Sequence, residues 1–130
     1  MRIILSSIGL VTALGLSGLA TVQPAFAQAQ PIDGYCAQIS DNDKYASDGF
    51  PLTDAGSILR QDRANFHRYG TPDADDYGDN TFDTVSARER IPAMFDNGNI
   101  EPGLARKIVR GYPYICVDIY RNSLSVYTGG

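Results

Sequence analysis

Two cysteines, Cys36 and Cys116, are the only ones in a chain of 130 residues, and 80 positions separate them. They bracket nearly everything that follows an apolar amino-terminal stretch. In a small exported domain an even cysteine count reads as a bridge, so the chain must fold with its two ends side by side. On the chain-entropy account, closing a loop of this length removes roughly 4.5 kcal/mol of freedom from the unfolded state. That is comparable with the whole stability of a small domain. A redox or metal-binding thiol pair needs close ligand spacing, which these two positions lack.

The export reading rests on residues 1–27. Met1 and Arg2 form a short basic start, and Ile3, Ile4, Leu5, Ile8, Leu10, Val11, Leu14, Leu16 and Leu19 follow without a charge. Ala25, Phe26 and Ala27 make a small-x-small cleavage pattern, with Pro24 just upstream to stop a helix. This is the plan of a secretory signal peptide. An uncleaved anchor is the alternative, but several Gly and Ser residues lower the hydrophobicity of the stretch. Gln28, not Cys, follows Ala27, so there is no acceptor for a lipid. The expectation is a signal peptide at 1–27 and a single small domain at 28–130, periplasmic or secreted, with no membrane attachment after cleavage.

Apolar residues at 43% and aromatics at 10% suffice for a packed core, and 13 Gly with 7 Pro show no collagen-like period. Removing Arg2 leaves ten basic against fifteen acidic residues. The excess sits in one place: 71–83 carries Asp73, Asp75, Asp76, Asp79 and Asp83 with no base. A nucleic-acid partner that depends on phosphate neutralisation is not expected of such a chain.

Residues 41–51 read as a loop by their Asp, Asn, Ser and Gly content. Thr53 is placed to cap a helix whose apolar positions are Ala55, Ile58, Leu59, Phe66 and Tyr69, with Gly70 and Pro72 as the stop. Asp62 falls in the middle of that apolar stripe, where a carboxylate needs an Arg or backbone amides to meet it. Thr84 or Ser86 can cap a second helix, Ser86 and Glu89 having the form of a capping box, and Pro92 forces a kink or restart. A third helix is expected from Pro102, with Leu104, Ala105, Ile108 and Val109 inward and Gly111 closing it. The segment 102–113 resembles the Pro-Gly-x-Ala-Lys segments of some periplasmic metal-homeostasis proteins, over twelve residues and without metal ligands. From Tyr114 the period becomes two, with Ile115, Val117 and Ile119 on one face, and Leu124, Val126 and Tyr127 suggest a returning strand. The fold expected is a small α+β domain of two or three helices packed on a carboxy-terminal β-hairpin. One disulfide joins it to an amino-terminal segment around Cys36, as a third strand.

Three groups of residues bear on chemistry. Asp73, Asp75, Gly78 and Asp79 approach the spacing of a calcium loop. Tyr77 and Thr84 stand where further oxygen ligands belong, so a solvated loop is the simpler reading and no metal is assigned. Arg60, Arg63 and His67 share one strip of the first helix, where they offer an anion-binding surface or a landing place for the Asp-rich segment. His67 is the only histidine. With Glu89 and Arg63 it supplies the residue types of a small nuclease, acid, base and phosphate clamp. No Gly-x-Ser-x-Gly elbow and no Cys/His zinc set is present, and no cofactor is implied. Eight tyrosines, four of them (Tyr112, Tyr114, Tyr120, Tyr127) on or beside the hairpin, suit contacts that are half apolar and half wet. The leading expectation is therefore a non-enzymatic binding or structural module of the cell envelope with an envelope or secreted protein as partner. A small His67-dependent hydrolase and a weak calcium module are the alternatives.

Overall fold

The computed structural model describes Gly15, 18–20, 29–70, Asp73, Asp76 and 78–130. The signal-peptide reading of 1–27 lies outside the described residues, apart from Gly15 and 18–20. Among those described, no helix is long and apolar enough to cross a membrane.

The chain runs through β1 (Asp33–Gln38), a 3-10 turn (Asp41–Lys44), α1 (Ala55–His67), α2 (Val85–Glu89), α3 (Ile91–Asp96), β2 (Asn99–Ile100), α4 (Leu104–Arg110), β3 (Tyr114–Ile119) and β4 (Leu124–Thr128). The four strands form one sheet in the order β1-β3-β4-β2, antiparallel except for the β2/β4 pair. This is a small single α+β domain built on the carboxy-terminal hairpin. Ile115, Val117, Ile119, Leu124 and Val126 present the buried face of that hairpin. They share one core with Ile58 and Leu59 of α1, Ile91, Met94 and Phe95 of α3, and Leu104 and Ile108 of α4. The alternation of period two on the sheet and three-to-four on the helices accounts for which residues turn inward.

Cys36 and Cys116 stand opposite each other in the β1/β3 register, Cα atoms 4.0 Å apart, and are joined in a disulfide. The bridge lies on the sheet face away from the helices, since its neighbours Ile115 and Val117 face the core. It fixes β1 as the third strand.

Several helix ends differ by a residue or two from their sequence expectation. Asp54, not Thr53, caps α1, its carboxylate accepting from the Ser57 N–H at 2.8 Å. Of the two caps offered for α2, Thr84 is the one used, accepting from the Ala87 N–H at 3.2 Å. Pro92 sits in the first turn of α3, where its missing N–H costs nothing, so the chain restarts there. Pro102 belongs to the turn before α4, and Gly103 takes the cap with φ +81°, a conformation that glycine adopts without strain.

Residues after α1 close the free edge of β1. An Asp76 oxygen accepts from the Gln38 N–H at 2.7 Å, and Asp33 accepts from the Asn80 N–H, the Thr81 N–H and the Thr81 hydroxyl at 2.9, 3.0 and 2.7 Å. An edge strand is a template for unwanted pairing, and here acidic side chains occupy it.

Candidate functional site

The carboxy-terminal half of α1 departs from an ordinary amphipathic helix, because Asp62, Arg63 and Asn65 are buried there. Arg63 is fully buried. Its Nε donates to Asp62 Oδ2 at 2.7 Å, its Nη1 donates to Asp79 Oδ1 at 3.1 Å, and the guanidinium lies 3.7 Å from the centroid of the Tyr35 ring. Asp79 comes from the acidic segment and is itself buried, its second oxygen accepting from the Phe82 N–H at 2.6 Å. His67 Nε2 lies 3.1 Å from the same Asp79 Oδ1. Two of the three residues on the α1 strip, Arg63 and His67, are thus gathered by one carboxylate.

Burial governs the protonation of this region. It pushes the Asp62 carboxyl up to about 7, against the opposing pull of Arg63. It pushes Asp43 up to about 6, against hydrogen bonds from the Ser40 N–H and the Asn65 amide, both 2.9 Å. The Tyr35 phenol is held protonated well above its usual range, again chiefly by burial. Two buried polar atoms, Tyr35 Oη and Arg63 Nη2, have no hydrogen-bond partner among the described residues.

The residue types of a small nuclease are not gathered here. Asp62 is 2% exposed, so no substrate reaches it. Glu89 lines a cleft that neither His67 nor Arg63 lines, which separates the three residues a nuclease would need together. Asp79 turns onto Arg63 and His67, and Asp76 binds the Gln38 and Asp73 N–H groups. Asp75 lies outside the described residues. No group of three or more His, Cys, Asp or Glu converges for a metal among the described residues.

Solvent-facing space lies on the other side of α1, where residues 41–51 fold over the helix. The Ala46 N–H donates to Phe50 O and Tyr45 bridges to Pro51, making a small hairpin-like flap. Beneath it is a cleft of about 500 Å³ with Tyr45 and Tyr69 at its sides and Asp41, Ser47, Gln61 and Asn65 among its polar groups. Tyr45 is 52% exposed and Tyr69 is 44% exposed. Phe50 and Tyr112 are exposed nearby, and the Tyr112 hydroxyl donates to Asp41 at 2.8 Å. Lys44 anchors the base of the flap by reaching the carbonyls of Val109 and Gly111 and lying over the Tyr112 ring.

A second cleft of about 180 Å³ shares Ser47 and Gln61 with the first. Arg60 and Arg68 of α1 line it, and Arg88 of α2 meets them there. Of the strip read from the sequence, only Arg60 faces this space. Arg68 and Arg88 carried no local signal, because Arg88 reaches α1 only through the packing of α2. The hairpin tyrosines divide as well: Tyr112 and Tyr127 are exposed, whereas Tyr114 and Tyr120 are half-buried. Compared with known protein families, curated proteins and solved structures, the chain matches none.

Proposed function

We propose that the chain is a secreted or periplasmic, non-enzymatic binding module that takes a protein of the cell envelope on the aromatic surface around the first cleft. The observation that carries this reading is the pairing of Tyr45 and Tyr69, 52 and 44% exposed, at the sides of the cleft, with Phe50 on the same flap and Tyr112 on Asp41 of the cleft wall, 70 and 60% exposed. Aromatic side chains with polar tips supply large contact area at low entropic cost and are enriched where proteins meet. The flap that carries two of them is tied to α1 and α4 through side chains, so the surface is largely formed in advance. Against an enzyme stands the position of the only histidine, which is held by Asp79 outside both clefts.

Export follows from the leader-like 1–27, with cleavage after Ala27, and from the disulfide, which belongs to an oxidising compartment. The intact mass of protein from the envelope fraction should correspond to a chain beginning at Gln28 or within a few residues of it. A full-length mass there would contradict cleavage.

A photoreactive residue at Tyr45 tests the surface in living cells. It should yield a discrete crosslinked protein, while the same probe at Tyr127, on the face that carries the disulfide, should not. Identical products from both positions, or none from Tyr45, would remove the reading.

A further inference from the structure

We propose that the second cleft is an oxyanion site that takes a phosphate group between Arg60, Arg68 and Arg88. Two arginines are buried among the described residues, and they differ in how their charge is met. Arg63, fully buried, has carboxylates on two of its nitrogens. Arg88 is only 5% exposed, yet no carboxylate lies within 4 Å of it among the described residues, and its one hydrogen bond there is from Nη1 to the Phe82 carbonyl at 3.0 Å. Taking a guanidinium out of water is costly unless an opposite charge meets it. Arg88 instead lines a cleft together with Arg60 and Arg68, neither of which has an acidic partner among the described residues.

The local architecture favours an anion over mutual repulsion. Arg60 and Arg68 are eight residues apart on α1 and therefore lie on one side of it, roughly 12 Å apart along the axis. Ala64, midway between them, leaves the floor of the cleft open. Arg68 rests against the Tyr69 ring, 5.1 Å from its centroid. The Ser47 hydroxyl accepts from Tyr69 Oη at 3.0 Å and from Gln61 Nε2 at 3.4 Å, which leaves its own proton to donate. A space of about 180 Å³ equals the share of about six waters in the liquid, enough for a tetrahedral oxyanion and bridging waters. Planar guanidiniums match phosphate geometry with paired N–H donors. Glu89 is the only acid lining the cleft among the described residues. A site of this charge on an acidic protein selects a small anionic group, free or carried on a larger molecule.

Phosphate binding does not depend on the protein-partner reading, and the two fail separately. Thermal melting and calorimetric titration of the mature protein at pH 7.5 should show binding of inorganic phosphate, with chloride at matched ionic strength as reference and a dissociation constant below about 1 mM. Arg60→Gln with Arg68→Gln, both outside the core, should weaken it at least tenfold, whereas Tyr45→Ser should leave it unchanged. Vesicles of phosphatidylglycerol in phosphatidylcholine test the same chemistry presented as a lipid headgroup. Binding of vesicles but not free phosphate, lost in the double variant, would place the phosphate on a lipid and still support the site. Failure of both probes to bind, or equal binding by wild type and double variant, would overturn it.

Discussion

Asp79 closes onto Arg63 across sixteen positions of sequence, Oδ1 to Nη1 at 3.1 Å, with both side chains fully buried. The relationship changes the meaning of the acidic segment. Asp79 is a structural counter-ion that draws the segment onto α1, while Asp76 and the contacts to Asp33 fasten the same segment along β1. Removing one partner of a buried pair costs about 3–5 kcal/mol when it leaves the other charge uncompensated, whereas Asp79→Ala leaves Arg63 with Asp62 as its one remaining carboxylate and takes the acceptor from the Phe82 N–H. Asp79→Ala is therefore expected to lose roughly 2–3 kcal/mol in urea unfolding, and to release His67 as well. A loss below about 1 kcal/mol would show that the pair is not holding the segment.

The same inward turn bears on calcium. With Asp79 committed to Arg63 and His67, and Asp76 to backbone amides, the loop has few oxygens to offer a cation. Calcium at about 1 mM, within the range of weak extracellular sites, should leave the melting temperature within about a degree. A rise of several degrees that disappears in Asp75→Ala would contradict this.

Asp43 sets an expected pH dependence. Its carboxyl is raised to about 6, so the folded state holds a proton that the unfolded chain has released. Its contribution is complete below about 4, the unfolded value, and is lost as pH rises through 6; Asp62, raised to about 7, acts in the same direction. Stability should fall between pH 4 and pH 7, by at most about 3 kcal/mol from Asp43, at about 1.4 kcal/mol per unit between its unfolded value and about 6, with Asp62 carrying the fall on to about 7. Asp43→Asn should flatten that slope in chemical unfolding measured across the range. A slope of opposite sign, or one unaltered by the substitution, would contradict the assignment.

The disulfide should contribute up to roughly 4.5 kcal/mol, the chain-entropy value for a loop of about 80 residues. Thiol titration of the unfolded, unreduced protein should find no free thiol, and reduction should lower the melting temperature by well over ten degrees for a domain of this size. Two free thiols would exclude the bridge.

Local interactions are the legible ones. The hairpin is legible because Ile115, Val117 and Ile119 alternate strictly, and β1 because a single pair of cysteines implies a bridge. Asp62 stood out as a charge in an apolar stripe, and an Arg does meet it, although it is the adjacent Arg63 that turns inward. The strand β2 was not legible: two residues pair in parallel with β4 only because Gly98 lets the chains approach, a Cβ there falling 2.0 Å from Leu124 O. The helical wheel places Tyr69 in the core, but the helix has ended and Tyr69 turns to the flap, donating to Ser47. The two clefts depend on residues 41–51 folding back and on α2 packing against α1, contacts that no local pattern encodes.

The most direct test of the central claim compares two single variants in binding to the protein captured at Tyr45. On the binding-module account Tyr45→Ser weakens that complex at least tenfold, about 1.4 kcal/mol. On the same account His67→Gln leaves it within twofold and changes stability by no more than about 1 kcal/mol, and neither wild type nor variant turns over RNA, peptidoglycan or esters. Unchanged binding by Tyr45→Ser, together with a hydrolytic activity that disappears in His67→Gln, would contradict the account.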